Sequence, residues 1–408
     1  MAKEKVVLAY SGGLDTSVCI EYLRTFHKLD VVTLTVDCGQ NEDFKAIEEK
    51  ALAIGATRHT FVDGKEEFAR DFVIPCIKSN GLYQNKYPLA TALSRPLIAT
   101  KIVEEAHRLG AVAVAHGCTG KGNDQIRFDV TIRSLDSDLK IIAPIRDMNL
   151  TRDLEIRFAR EHNIPISSEA KRYSVDLNIW GRSIEGGSIE DAYSEPPFDV
   201  FRLVKFNNDA PGYLELEFEE GIPVAADDKK MDITSLILYV NEKAGSFGVG
   251  ILDHIEDRVV GIKSREIYEA PAAVVILEAH KDLEKMVLSA HELNFKRIVD
   301  EQWSWLVYSG LWKNPLRSHL DRFIDATQKK VSGKVRLRMQ TGSIRVVGRS
   351  SGNSLYRNEL ATFTTRSTFD QSSAKGFVQL WGLQSTIANL MPREWRSSQN
   401  KSREANNI

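Results

Sequence analysis

The sequence predicts an α/β protein: a doubly wound, mostly parallel sheet, followed by a second domain of α+β character. Three observations carry this. From residue 6 to about 165, short apolar runs alternate with segments of helical period. Glycine-rich turns stand directly after two of those runs, where such sheets place their ligand loops. From about residue 170 the strands change character, and apolar side chains alternate with charged ones.

Val6-Val7-Leu8 is the first buried strand, and Cys19, Tyr22, Leu23 and Phe26 mark one face of the helix after it. Val31 to Val36 is the second strand. Phe44, Ile47, Ala51 and Ile54 mark a helix stopped by Gly55, and Thr60 to Val62 a third strand. Ile98, Ile102, Ala106 and Leu109 mark a helix closed by Gly110. Ala111 to Ala115 and Lys140 to Ala143 complete the strands of the first domain.

In the second domain, Leu214, Leu216 and Phe218 alternate with glutamates. Val335, Leu337 and Met339 alternate with Arg336, Arg338 and Gln340 before Thr341-Gly342 turns the chain toward Ile344 to Val347. We expect these two strands to share a sheet and pair charges on its solvent face. Helical stretches are expected at Lys281 to Leu293 and Trp303 to Gly310. Phe377, Leu380, Trp381 and Gln384, then Ile387, Leu390 and Met391, describe a C-terminal helix. Its apolar face needs cover from its own subunit or from a neighbour. The expected limits are 1–168, 169–370, a helical segment 371–396 and a polar tail 397–408.

Composition narrows the function classes. The 408 residues are 42% hydrophobic and 27% charged, as in soluble globular proteins, and the net charge of −2 argues against bulk nucleic-acid binding. Cys19, Cys38, Cys76 and Cys118 lie far apart with no C-x-x-C pair, which suits a reduced cytoplasmic protein and no structural metal. Met1 to Lys5 runs straight into the first strand, so no signal peptide is expected. No apolar run approaches the roughly 18 residues of a membrane span. Residues 313–349 carry ten Lys and Arg against Asp321 and Asp325. This reads as a solvated or subunit-contacting surface in preference to an RNA-binding face.

Chemistry concentrates in two loops. Ala9-Tyr10-Ser11-Gly12-Gly13-Leu14-Asp15-Thr16-Ser17 joins the first strand to its helix, where backbone N–H groups and the helix dipole favour an anion. The glycines permit close backbone approach, the hydroxyls of Ser11, Thr16 and Ser17 add donors, and Asp15 is placed to orient a metal or the loop. The spacing is neither a Walker A loop nor a G-x-G-x-x-G fingerprint. The second loop, His116 to Phe128, exposes backbone amides at Gly117, Gly120 and Gly122. Between them it projects Thr119, Lys121, Asn123, Asp124 and Arg127.

The string S-G-G-x-D-[ST]-S resembles the pyrophosphate loop of the ATP pyrophosphatase class. With the second loop, it makes the chain similar to the argininosuccinate synthase family. The likeness continues through Tyr87-Pro88-Leu89 and Arg95-Pro96, Tyr173 to Asp176 with Ser183, and Gly261 to Glu269. It runs on through Leu306 to Trp312, Ser354 to Tyr356 and Gly376 to Leu383. It implies an adenine nucleotide α-hydrolase-like domain, a synthetase domain and a C-terminal oligomerisation helix in a cytoplasmic homotetramer. It implies the ligation of citrulline to aspartate in arginine biosynthesis, with ATP and Mg2+ entering as the substrate complex, AMP and pyrophosphate leaving, and no prosthetic group. Ala9 to Ser17, Val36 and Gly117 match the ATP site. Thr119, Asn123 and Asp124 match the aspartate site. Tyr87, Asn123, Arg127, Ser174, Ser183, Glu256 and Tyr268 match the citrulline site. Asp15, Asp124 and Arg127 take the catalytic roles. One departure stands out: Ala92 occupies a position where members often carry serine, with Thr91 beside it as the substitute hydroxyl. Enzymes of the same ATP class that act on tRNA need a large RNA surface, and thiolation often needs paired cysteines. The charge and the scattered cysteines disfavour both.

Overall fold

Val6-Val7-Leu8 offers no polar side chain to solvent, so a strand built from it must be covered on both faces. In the structure, a computed structural model that describes residues 3–165, 173–208 and 210–390, this is so. Strand β1 (Lys5–Ala9) is central in a parallel sheet with β2 (Asp30–Asp37), β3 (Arg58–Asp63), β4 (Ala113–Ala115) and β5 (Lys140–Ile142). The strand order is β3-β2-β1-β4-β5. Val6 and Leu8 join a core with Val18, Cys19 and Leu23 of the helix Leu14–Thr25. Val7 and Ala9 join another with Leu93 and Leu97 of the helix Ala90–Leu109. The winding direction reverses between β1 and β4, so the loops leaving their carboxyl ends are neighbours.

The helix stops at Gly55 and Gly110 fall as expected, at φ +120° and +60°. One expected helix face needs correction. Cys19 and Leu23 are buried, but Phe26 lies past the end of its helix, is 59% exposed and stacks on Tyr22. The buried side turns instead through Val18, Ile20 and Leu23, because this helix also packs on the helix Arg152–Glu161.

Beyond the parallel sheet come β6 (Ser174–Asn178), β7 (Gly181–Glu185), β8 (Gly212–Glu219), β9 (Ile222–Ala226) and β10 (Lys229–Lys230). They are followed by β11 (Ile251–Asp257), β12 (Lys263–Glu269), β13 (Gly333–Gln340) and β14 (Ser343–Ser350). They form two sheets, β11-β12-β7-β6 and β10-β9-β8-β13-β14. Strands β8 and β13 do pair, with Leu216 opposite Val335 and Glu217 opposite Lys334. The charge pairing centres on Lys334, which bonds Glu215 at 3.1 Å and Asp228 at 2.8 Å. Arg336 lies instead over the Tyr213 ring. Thr341 and Gly342 both have positive φ, +44° and +78°, as the tight β13–β14 hairpin requires.

The helical stretch expected at Lys281 to Leu293 is two elements, Pro271–Val287 and Ala290–Tyr308. Between them, Ser289 N–H donates to Glu292 Oε2 at 2.8 Å, half of a reciprocal capping box that starts a new helix. The apolar spacing runs on through the break and hides it. In the basic segment, Arg317 pairs with Asp321 and Arg349 with Asp282, so these two charges, with that of Lys334, are matched within the fold.

The chain divides into two compact units, Met1–Ser354 and Leu355–Ile408. The second holds the helix Ser373–Trp381, on which Phe377, Leu380 and Trp381 are all more than half exposed. The expected boundary at 168/169, Met391, the end of the 371–396 segment and the tail 397–408 lie outside the described residues. Among the described residues no helix is long and apolar enough to cross a membrane.

Candidate active site

The loop after β1 is shaped by its own hydroxyls. Gly13 N–H donates to Ser11 Oγ at 3.4 Å, Thr16 Oγ1 donates to the Gly13 carbonyl, and the hydroxyls of Ser11 and Thr16 lie 3.3 Å apart. Tyr10 and Ser17 anchor it from below: both are buried, and their hydroxyls meet at 3.3 Å. Gly12 has φ +75°, and a Cβ there would stand 3.0 Å from Ile47, so the residue is confined by backbone and by packing. The loop thus stands at a helix N-terminus with Ser11 exposed at its rim, its Ser11 and Gly13 N–H groups held by the hydroxyls of Thr16 and Ser11. Lys50 reaches the Gly12 carbonyl from the neighbouring helix, at 2.7 Å.

Asp15 faces Arg152, 2.9 Å away, and lies close to Glu155. Burial, then Asp15, pushes the Glu155 carboxyl up to about 8, and its Oε2 has no hydrogen-bond partner, with Arg152 Nη1 3.8 Å away. Among the described residues no group of three or more His, Cys, Asp or Glu is arranged to hold a metal.

Gly117 brings the second loop against the first. A Cβ at Gly117 would meet Thr16 Cγ2 at 3.0 Å and the Thr16 nitrogen at 3.2 Å. Behind it, His116 is buried and bonds Asp129 through Nε2 at 2.8 Å. The loop leads into the helix Asp124–Leu135, whose first turn carries two charged site residues. Asp124 accepts from Arg95 Nε at 2.7 Å and from Arg127 Nη1 at 2.9 Å, while Arg95 also donates to Asp176. Burial raises the Asp124 carboxyl, but the two guanidiniums more than offset this and hold it below the usual carboxylate range.

The remaining residues form a buried network. Asn123 Nδ2 donates to the Tyr308 hydroxyl at 2.8 Å, and Asn123 Oδ1 accepts from Val259 N–H at 2.9 Å. Glu256 is 2% exposed and accepts at 2.5 Å from two hydroxyls, Tyr308 on Oε1 and Tyr268 on Oε2. The Tyr268 hydroxyl also lies 2.9 Å from Glu266 Oε2. A tyrosine has one proton, and Tyr268 gives it to Glu256, so this second contact is a hydrogen bond only when Glu266 is protonated. Burial, then the charges of Glu256 and Glu185, pushes the Glu266 carboxyl up to about 8, which supplies that proton near neutrality. Tyr87 is buried, stacks on Tyr268 at 4.2 Å and shares a hydrogen bond with Thr91, whose hydroxyl is therefore already engaged. Backbone strain shapes this part: Gln84, Asn85 and Leu89 all have positive φ, which winds 83–89 tightly enough to present both Tyr83 and Tyr87.

The expected residues are thus distributed unevenly. Asn123, Arg127, Glu256, Tyr268 and Tyr87 share one network, and Ser183 stands opposite Tyr268 in the β7–β12 pairing. Ser174 is exposed at the start of β6, opposite Glu185, and Thr119 is exposed on its loop. Ala9 and Val36 are buried at the carboxyl ends of β1 and β2. Sequence reasoning gave no role to Arg95, Asp176, Tyr308, Glu266 and Arg258. Arg258 links the sides: it bonds Glu185 and Glu266 and donates to the Lys121 carbonyl. Arg95, Asp176, Glu266 and Tyr308 do lie inside strings that carried the family likeness, but nothing in those strings says what each faces.

Two family models match: the arginosuccinate synthase N-terminal HUP domain over residues 5–165 and the arginosuccinate synthase C-terminal domain over 173–388. Among curated relatives, argininosuccinate synthase of Pyrococcus furiosus is 52% identical over 97% of both chains. That of Dictyoglomus turgidum is 52% identical over 96% of this chain and 98% of its own. That of Dehalococcoides mccartyi is 51% identical over 98% of this chain and all of its own.

Proposed function

The chain belongs to the argininosuccinate synthase family, and on that premise we infer that its site ligates citrulline to aspartate at the expense of ATP, in arginine biosynthesis. The observation that supports the reading is the close approach of Gly117 to Thr16 and Asp15, which leaves little room for a Cβ and sets the 116–128 loop against the 9–17 loop at the switch point of the sheet.

The chemistry follows from the residue types. A ureido oxygen is a poor leaving group, so it is first activated by attack on the α-phosphate of ATP, giving a citrullyl-adenylate and pyrophosphate. Negative charge grows on the departing pyrophosphate, where the N–H groups and hydroxyls of Ser11 to Ser17 and the helix dipole are placed to stabilise it. Mg2+ enters with ATP as part of the substrate, and Asp15 at the loop is the carboxylate suited to meet it. The α-amine of aspartate then attacks the activated carbon, and AMP leaves. Asp124, held ionised between two guanidiniums, is a weak base, so the amine proton passes to a phosphate oxygen. Asp124 keeps the role of orienting the ammonium group. Positioning supplies the rest and is worth up to about 7–11 kcal/mol in such a step.

The site assignments are part of this proposal. ATP is held by Ala9 to Ser17, Val36 and Gly117. Aspartate is held by Thr119, Asn123 and Asp124. Citrulline is held by Tyr87, Asn123, Arg127, Ser174, Ser183, Glu256 and Tyr268. Residues 1–168 serve as the nucleotide domain, 169–370 as the synthetase domain and 371–396 as the oligomerisation helix, with 397–408 as a polar tail. The exposed aromatic residues of Ser373–Trp381 support an oligomer, for which the family likeness implies four subunits and which sedimentation tests, and the lone cysteines support a cytoplasmic setting. The functional assay combines ATP, citrulline and aspartate. AMP is expected to accumulate only when both amino acids are present, and accumulation without citrulline would sink the reading.

A further inference from the structure

We propose that Tyr308 is the positioning residue that couples the aspartate side of the site to the citrulline side. The proposal rests on the functional reading above and adds to it a residue which that reading does not use. Tyr308 closes the helix Ala290–Tyr308 and is 1% exposed. Three site residues from two elements converge on it: Asn123 and Arg127 at the start of the helix Asp124–Leu135, and Glu256 on β11. Its hydroxyl accepts from Asn123 Nδ2 at 2.8 Å and donates to Glu256 Oε1 at 2.5 Å. Its carbonyl accepts from Arg127 Nε at 3.2 Å and Nη2 at 3.1 Å. Tyr83 stacks on its ring, with centroids 3.4 Å apart and planes within 5°.

Each contact decides what its partner can still offer a substrate. Asn123 is held at both ends of its amide, with Nδ2 toward Tyr308 and Oδ1 toward the Val259 N–H. A flipped amide would set its NH2 against that N–H and take the tyrosine proton away from Glu256. One Nδ2 proton is left, pointing in a fixed direction. Arg127 has given Nε–H and one Nη2–H to the Tyr308 carbonyl and one Nη1–H to Asp124. Two N–H groups remain for a substrate, one on each terminal nitrogen. Burial, then the Glu256 charge, raises the Tyr308 hydroxyl far above its ordinary value, so it stays a donor to Glu256 and an acceptor for Asn123 throughout the working pH range. An aspartate that pulls on Asn123 therefore pulls, through one oxygen, on the carboxylate that meets citrulline.

Tyr308→Phe tests this, because it keeps the ring, the Tyr83 stack and the backbone carbonyl under Arg127, and removes only the Asn123–Glu256 link. Loss of two hydrogen bonds, one of them to a charged group, is expected to raise KM for citrulline and for aspartate about tenfold or more, with ATP affinity unchanged. In an Asn123→Ala background the same substitution should raise the aspartate KM no further, since the link is already cut. Uniform weakening of all three substrates, additive effects in the double variant, or a melting temperature more than about 5 °C below wild type would each make the residue merely structural and overturn the proposal. Wild-type AMP formation with both amino acids, measured alongside, reports separately on the functional reading.

Discussion

The two halves of the site are built in opposite ways. The proposed phosphate half is mostly local: nine consecutive residues, a strand end, two glycines and a helix N-terminus, with internal hydrogen bonds that span at most seven positions, braced from outside by Lys50 and Arg152. The amino-acid half is assembled from afar. Asn123 meets Tyr308 across 185 positions, Arg95 meets Asp176 across 81, and Tyr308 meets Glu256 across 52. A polyphosphate is recognised by repeated, generic N–H groups, which one turn supplies. Two zwitterions must be told apart from other amino acids and held in register, which needs fixed side chains from several directions.

The sharpest way to break this contrast is at Gly12. Gly12→Val forces a β-branched residue to φ +75° and toward Ile47, displacing several donors together. We expect kcat/KM for ATP to fall by on the order of 10³, with citrulline binding by calorimetry unaffected. If citrulline binding falls in parallel, the halves are not separate.

The second test is structural and belongs to the amino-acid half. Lys296 is 1% exposed and lies between Asp300 at 2.8 Å and Glu284 at 3.1 Å, with Asn80 bonded to both carboxylates. This buried knot fastens the segment that presents Tyr83 and Tyr87 to the helix that ends at Tyr308. Lys296→Met strands two acids and should cost about 3–5 kcal/mol in denaturant unfolding. In the folded fraction it should weaken citrulline more than ATP.

Third, Asp124→Asn should slow formation of the ligated product about ten- to hundredfold, by loss of a charge-assisted contact, while the adenylation step is largely spared. Quench-flow separates the two, and equal losses would remove Asp124 from the aspartate step.

The last test concerns pH. The Glu155 carboxyl has an ordinary value of 4.5 and is pushed up to about 8 in the fold. Folded chains then hold a proton that unfolded chains have released. Its contribution to stability is full below about pH 4.5, falls as pH rises toward about 8, and is flat above that. Glu155→Gln should flatten the decline of melting temperature across this window. An unchanged slope would place the titration elsewhere.

The same contrast explains what was legible beforehand. The parallel sheet, its helix stops and the glycine loop after β1 follow from short-range pattern (apolar runs, glycine positions), while the β8–β13 pairing, in which Lys334 meets Glu215 across 119 positions, was legible from opposite charge on two alternating strands. The break between Val287 and Ala290 was missed because its capping box is only a Ser289–Glu292 spacing inside an unbroken apolar rhythm. Phe26 was misplaced because the helix ends one residue before it. The bundling of Arg95, Asp124 and Asp176, and the convergence on Tyr308, depend on which elements the fold brings together. No spacing rule encodes that. Family likeness named most of the amino-acid residues, but it could not say that Tyr308 joins them.

In the proposed mechanism, the phosphate half and citrulline alone complete the first chemical step. ATP carrying ¹⁸O in the bridge between its α- and β-phosphates tests this most directly. With citrulline and no aspartate, the label is predicted to scramble into the non-bridging β-positions of recovered ATP, because pyrophosphate forms, turns in its loop and returns. Scrambling without citrulline, or none until aspartate is added, would contradict it.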